Sequence, residues 1–277
     1  MSLKNKVAVI TGGAGVLCTG FARALSSAGA KVALLDLDKN RASLLAGEIN
    51  AAGGSCAAFG CDVLSRDSIR QAAAEVVAQF GGYDLLLNGA GGNHPRGTTA
   101  AEYLRAEDMG GQNGVTFFDF AAEDIQFVFN LNILGTILPS QEFAKGMVGR
   151  EGAAILNISS VNESRPLTKI PAYSGAKAAV SNFTKWLAVY LAKEGIRVNA
   201  LVPGFFSTAQ NKALLYNPDG SLSKRSEKIL AATPMDRFGD PKELCEAALF
   251  LLDSEKSSFI TGVTLPVDGG FTAYSGV

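Results

Sequence analysis

Ser160, Tyr173 and Lys177 stand at spacings that could move a proton. Tyr173 and Lys177 are four residues apart, and on a helix positions i and i+4 share a face, so both side chains can enter one cleft. Ser160 comes thirteen residues before the tyrosine, just after the run 153–158, which reads as a buried strand. The serine is therefore expected past a strand's carboxyl end, where open parallel sheets bind ligands. A free tyrosine titrates near ~10 and is a poor base at neutral pH. A lysine ammonium close by favours the phenolate. Bringing the phenol to roughly 7.5 takes about 3.4 kcal/mol, within reach of one close cation and a second positive charge. Tyr173 could then exchange a proton with a hydroxyl or carbonyl while Ser160 holds the same oxygen. A Tyr-x-x-x-Lys pair alone is also a common accident of an amphipathic helix, so its weight rests on the rest of the chain.

A second constellation lies at the N-terminus. An apolar run, 7–10, ends in Thr11-Gly12-Gly13-Ala14-Gly15; a helical pattern with Phe21, Ala22 and Leu25 on one face follows, and KVALLD ends in Asp36. Glycines let backbone approach a pyrophosphate, and a helix N-terminus offers free N–H groups and the positive end of its dipole. Asp36 at the strand tip can accept from both ribose hydroxyls. It also puts a carboxylate where the 2′-phosphate of NADP would sit, and no arginine at Gly15, Val16 or Leu17 offsets it. NAD is the cofactor expected.

The positioning elements alternate along the chain. Helical spacing is expected over 41–52, from Ser65 through Ile69, Ala73, Val76, Val77 and Phe80, over 123–148 with Asn132 in its middle, and from Tyr173 to about 194. Strands are expected at 31–36, 55–60, 83–87, 153–158, 197–201 and 263–267. Asp240, Pro241 and Glu243 have the order of a capped helix start. Segment 93–120 reads as an insertion of mixed polarity and 205–238 as irregular chain or a flap; the insertion and 161–171 read as loops short of large apolar residues. The fold expected is α/β: one doubly wound Rossmann domain over 1–277, with a mostly seven-stranded parallel sheet.

Composition narrows the partners. Of 277 residues 47% are apolar and 18% charged, the pattern of a globular chain. A net charge of -1 argues against nucleic-acid or membrane partners. Cys18, Cys56, Cys61 and Cys245 lack ligand spacing and there is one histidine, so no metal is expected. The N-terminus does not read as a signal peptide and no run approaches a membrane span, so a cytoplasmic protein is expected.

Over essentially its whole length the chain resembles the short-chain dehydrogenases/reductases. The resemblance is carried by Thr11-Gly12, Asp36, Asp62, Asn88-Gly89-Ala90-Gly91, Asn132 with Gly135, Ser160, Tyr173, Lys177, Pro203-Gly204 with Thr208, and Val267-Asp268-Gly269-Gly270. It implies that Tyr173 is the acid/base, that Ser160 orients the substrate oxygen, that Lys177 binds the nicotinamide ribose and lowers the tyrosine pKa, and that Asn132 holds a relay water. The implied cofactor set is Gly12, Gly13, Gly15, Val16, Leu17, Asp36, Asp62, Val63, Asn88, Gly89, Ala90, Tyr173, Lys177, Pro203, Gly204, Phe206 and Thr208, with Asp62 at the adenine and Thr208 at the carboxamide. A homo-oligomer, dimer or tetramer, is implied too. Two departures stand out. The family's last two turn glycines are replaced by Val16 and Cys18, and Gly89 replaces an asparagine. The 41-residue gap from Gly91 to Asn132 is longer than usual; its start, Gly-Ala-Gly-Gly-Asn-His-Pro, and the Thr-Gly-Gly-Ala-Gly-Val-Leu turn resemble the D-mannonate oxidoreductase (fructuronate reductase) branch.

The function expected is NAD-linked interconversion of alcohol and ketone on a sugar acid, most readily D-mannonate and D-fructuronate. Reduction of another ketone (a 3-ketoacyl thioester or a neutral sugar) and a non-catalytic nucleotide-binding regulator stand as alternatives. Candidate substrate contacts are Asn93, His94, Arg96, Asn162 and Arg165. His94 reads equally as a structural loop histidine, Asn162 as part of a solvated turn, and Arg96 and Arg165 as solvated cations.

Overall fold

The computed structural model describes residues 3–110, 113–208 and 211–276. Its centre is a sheet of β1 (Val7–Thr11), β2 (Lys31–Asp36), β3 (Ser55–Gly60), β4 (Leu85–Asn88), β5 (Ala154–Ile158), β6 (Arg197–Pro203) and β7 (Thr264–Val267). The order is β3-β2-β1-β4-β5-β6-β7 and every pairing is parallel. The order reverses between β1 and β4, which opens a crevice at the strands' carboxyl ends, the ligand position in such sheets.

The five inner strands, β1, β2, β4, β5 and β6, are buried on both faces, so they read as apolar runs. Alternate residues serve two cores: Ala8 and Ile10 face one, Val7 and Val9 the other. The first core is covered by α1 (Val16–Ser27) and α2 (Lys39–Ala51), and the second by α3 (Arg66–Phe80), through residues such as Phe21, Leu45 and Val76. α3 starts as its sequence predicts, with the Ser65 hydroxyl accepting from Ser68 N–H, and ends at Gly81, whose φ of 81° suits a residue without Cβ. Val77, expected on its buried face, is exposed instead.

The helix expected over 123–148 is interrupted. α4 (Ala122–Phe129) passes through a π turn, Asn130–Leu134, into α5 (Gly135–Met147). Asn132 Nδ2 donates to Val128 O, drawing off a carbonyl of the helical ladder, and Pro139 has no N–H to return to Gly135. π turns concentrate at functional sites. α6 (Pro171–Leu191) carries Tyr173 and Lys177 and ends in a short 3₁₀ turn, Ala192–Glu194. The 205–238 segment is not irregular: it contains α7 (Lys212–Leu215) and α8 (Lys224–Ala231). α9 (Pro241–Leu252) opens with the expected reciprocal cap between Asp240 and Glu243, and α10 (Ser254–Ser257) leads to β7.

The insertion holds three short 3₁₀ turns and, against expectation, is not short of large apolar residues. Tyr103, Leu104, Met109, Phe117 and Phe118 are exposed on it, and most of them line a hollow of about 240 Å³. No helix among the described residues is long and apolar enough to cross a membrane.

Candidate active site

The site sits where the carboxyl ends of β1, β4 and β5 meet α6. Thr11, Asn88 and Asn157 are in register across the sheet and begin a buried polar network. Asn88 Nδ2 donates to Asn157 Oδ1 (2.8 Å) and Ser140 Oγ (2.9 Å), and Asn157 Nδ2 donates to Thr184 Oγ1 (2.9 Å). Thr184 and Ser140 each return a hydroxyl to the carbonyl four residues back in their helices. The network locks β4, β5, α5 and α6 together beneath the reacting groups. Asn157 falls inside the run 153–158; a lone amide in a buried strand must be paired, and that is the signal the sequence offers.

The Lys177 side chain is buried and its Nζ donates to Ile158 O at 2.8 Å. Loss of hydration pushes its pKa down to about 8. Nζ lies 5.6 Å from the centre of the Tyr173 ring. The Ser160 hydroxyl beside Tyr173 favours the phenolate, yet burial outweighs it and holds the phenol above its usual value. The expected depression of Tyr173 by Lys177 is therefore not present in the chain alone: desolvation costs the phenolate more than its neighbours return, and it weakens the lysine's own charge.

Asn132 joins the same point through Gly91 and Gly92. Gly92 N–H donates to Asn132 Oδ1 (3.1 Å), and Asn132 Nδ2 donates back to Gly92 O (2.8 Å). A Cβ on Gly91 would fall 2.7 Å from Asn132 Oδ1 and 3.3 Å from Lys177 Nζ. The Asn132 amide is thus spent on the backbone beside Lys177. Asn132, Ser160, Tyr173 and Lys177 are brought together.

The glycine turn has the shape of an anion cradle. Gly12 has φ of 61°, and a Cβ there would lie 2.9 Å from Ala90 Cα. Gly15 is the N-cap of α1 and supplies no side chain, and the helix's first turn has no acidic residue. The leading N–H groups of Val16 and Leu17 are left to a ligand. Asp36 closes the cradle: Oδ2 accepts from Ala14 N–H and Oδ1 from Asp38 N–H, both 2.9 Å. Thr11 Oγ1 accepts from Gly89 and Ala90 N–H, tying the turn after β4 to the first. The donor set fits a dinucleotide. The two departures in these turns meet each other: a Cβ on Gly89 would fall 2.2 Å from Cys18 Sγ. The Cys18 thiol fills the room that a side chain at 89 would take, and burial pushes its pKa up to about 12, so it acts as a small packing residue.

The remaining cofactor candidates are spread over the rim. Asp62 is exposed, with Oδ1 accepting from Leu64 N–H. Val63 is buried, its Cγ2 3.1 Å from where a Cβ on Gly135 would stand. Past Pro203 and Gly204, Phe206 is buried with its ring packed against Gly239. Thr208 N–H donates to Asn211 Oδ1 (2.8 Å), and Asn211 also donates to Phe206 O (2.8 Å); no sequence signal singled out Asn211.

The substrate candidates divide. Asn93 Nδ2 donates to Thr98 Oγ1 (2.8 Å). His94 Nδ1 accepts from Arg96 N–H, and its ring packs against Phe127 at 5.2 Å, the structural role. Arg96 is neutralised by Asp124 at 3.1 Å. Arg165 donates to Tyr274 O and has no carboxylate partner among the described residues. Asn162 is buried, not part of a solvated turn, and its side chain is engaged by Ser160, Leu167 and Ser174.

Against known proteins, a family model described as Enoyl-(Acyl carrier protein) reductase matches residues 14–272. An uncharacterized oxidoreductase of Haemophilus influenzae is 52% identical over 276 residues, covering 100% of this chain and 96% of the relative. A crystal structure of a candidate D-mannonate oxidoreductase from Haemophilus influenza, with bound NAD, superposes with a TM-score of 0.96 at 52% identity, covering 99% of this chain and 98% of the other. A gluconate 5-dehydrogenase from Burkholderia cenocepacia, in complex with NADP and tartrate, superposes with a TM-score of 0.83 at 30% identity over 98% and 96% of the two chains.

Proposed function

The chain belongs to the short-chain dehydrogenase/reductase family, and on that premise we propose that it interconverts a secondary alcohol and a ketone on a sugar acid, D-mannonate and D-fructuronate fitting best, with NAD as hydride carrier. The observation that carries the reading is the meeting of Ser160, Tyr173 and the buried Lys177 beside a cradle closed by Asp36. When bound, an oxidised nicotinamide supplies the hydride acceptor and a positive charge. The rest falls to side chains. Tyr173 takes the hydroxyl proton in oxidation and returns it in reduction. Ser160 donates to the same oxygen and fixes its position. Lys177 in its ammonium form stabilises the negative charge that develops on the phenolate. Asp36 accepts the ribose diol and repels a 2′-phosphate, which supports NAD over NADP.

The sugar-acid reading is supported by the D-mannonate oxidoreductase likeness and by a relative holding tartrate, a hydroxy acid. Arg165 suits the carboxylate, because its guanidinium charge is uncompensated while that of Arg96 is not. The apolar hollow of the insertion favours a second reading, reduction of an acyl thioester. A homo-oligomer is part of the proposal: Trp186 stacks between Phe183 and Tyr190 on an exposed face of α6.

The test is initial rates for mannonate, fructuronate, neutral ketoses and a 3-ketoacyl thioester with each cofactor. The reading predicts the highest kcat/KM for the hexonate pair with NAD. Arg165→Ala should raise its KM about 10–150-fold, the loss of a charge-assisted bond of about 1.5–3 kcal/mol, while Arg96→Ala should change it little. Preference for the thioester or a neutral ketose would refute the substrate, and equal use of NADP would refute the role of Asp36.

A further inference from the structure

Asn162 lies two residues beyond Ser160, and four contacts account for its position. Its backbone N–H reaches Ser160 Oγ at 3.3 Å and its Nδ2 reaches the same oxygen at 3.1 Å. Its Oδ1 accepts from Leu167 N–H at 3.1 Å and from Ser174 Oγ at 2.8 Å. The residue is 4% exposed, so these bonds form out of competition with water. Ser174 directly follows Tyr173 on α6. One amide thus ties the end of β5 to the helix that carries the tyrosine.

A hydroxyl has one proton and two acceptor directions. Asn162 meets Ser160 Oγ with two N–H donors, which fill both acceptor directions. The serine proton is then free only to be donated, and the group beside it is the Tyr173 oxygen or the substrate oxygen. A serine without these donors would share its time between donating and accepting, and would as often turn its lone pairs on the phenolate it should stabilise.

We propose that Asn162 is a positioning residue that fixes the direction of the Ser160 hydrogen bond, holding the serine as an obligate donor toward Tyr173 and the substrate oxygen. The Leu167 N–H sets the amide's own orientation, because an oxygen that accepts from it must leave Nδ2 facing Ser160; the Ser174 hydroxyl, whose one proton is shared between Asn162 Oδ1 and Ile170 O, adds to it. The inference rests on the oxidoreductase reading above but not on which substrate is used.

The test is a double-mutant cycle with two readouts. Asn162→Ala and Asn162→Asp are each made in the wild-type and the Ser160→Ala backgrounds. Asn162→Asp keeps the shape and the acceptor for Leu167 and Ser174, but places an acceptor against Ser160 and so draws its proton away. The first readout is ionisation of Tyr173, followed by phenolate absorbance in the enzyme alone, with Tyr173→Phe as the blank; it needs no substrate and stands even if the sugar-acid reading fails. The second is kcat with whichever alcohol the enzyme oxidises. Both Asn162 variants should raise the Tyr173 transition and lower kcat tenfold or more in the wild-type background, with the Kd for NAD within twofold. In the Ser160→Ala background either change should alter kcat less than twofold and leave the transition in place. Equal effects in the two backgrounds, or an Asn162→Asp enzyme with wild-type kcat and titration, would overturn the assignment and leave Asn162 a packing residue.

Discussion

Burial and function pull Lys177 in opposite directions. Its ammonium is enclosed and held by one carbonyl, and burial pushes its pKa down from 10.5 to about 8. That difference amounts to roughly 3 kcal/mol of stability given up while the group stays charged. The folded pKa is depressed, so between about 8 and the unfolded value the unfolded chain binds more protons, and stability rises with pH across that window. Below it the cost is fully present. Lys177→Met should therefore be as stable as wild type or more so at pH 7, despite losing the bond to Ile158, while catalysis falls at least 100-fold. Thermal unfolding from pH 7 to 10 checks this: the advantage of the variant should shrink as pH rises, and a variant clearly less stable at pH 7 would refute it. Ser160, Tyr173 and Lys177 were legible as single residues because their chemistry depends on type and spacing. The duties of Asn162, Arg96 and His94 were not, because each is decided by a partner far along the chain or across a turn, such as Asp124 for Arg96.

The elements followed from periodicity wherever a face was plainly apolar, and failed where side chains compete with the backbone. The π turn at Asn130–Leu134 arises from an amide that bonds to the carbonyl four residues back, which hydrophobic spacing does not record. The altered glycine turn follows from a contact between two elements. Cys18 at the start of α1 and Gly89 after β4 are each unusual alone and complementary together. Gly89→Ala should cost about 1–3 kcal/mol, the usual price of overpacking, and should raise the KM for NAD. In a Cys18→Gly background the same change should cost at least about 1 kcal/mol less, since neighbours that share a cavity couple. Denaturant unfolding of the four proteins measures the coupling; simple additivity would show that the thiol does not set the turn.

Across the whole molecule, the loops after separate strands are pinned to one another over the cleft. Thr99 N–H donates to Lys169 O, and Lys169 Nζ donates to Ala100 O, joining the insertion to the segment after β5. Lys228 of α8 grips both carboxylate oxygens of Glu102 at 3.0 and 2.9 Å, joining the insertion to the 205–238 flap and holding the Glu102 carboxyl below the usual carboxylate range. The pair is exposed, so its effect on stability should be negligible. Its effect on the cleft should not be. Glu102→Gln should leave the melting temperature within a degree and raise the KM for the sugar acid a few-fold, with the KM for NAD unchanged. Added salt should raise the wild-type KM toward that of the variant; a variant KM equal to wild type at low salt would rule out a role for the clasp.

Proton exchange between Tyr173 and a sugar-acid hydroxyl is the step on which the proposed function depends. Its most direct test is the steady-state rate of NADH oxidation with D-fructuronate for wild type and Tyr173→Phe, with the Kd for NADH measured in parallel. The kcat of Tyr173→Phe should be lower by about 10²–10⁴-fold, the range for losing a general acid, at a Kd within twofold of wild type. A Tyr173→Phe enzyme that keeps a tenth or more of the wild-type kcat would contradict it.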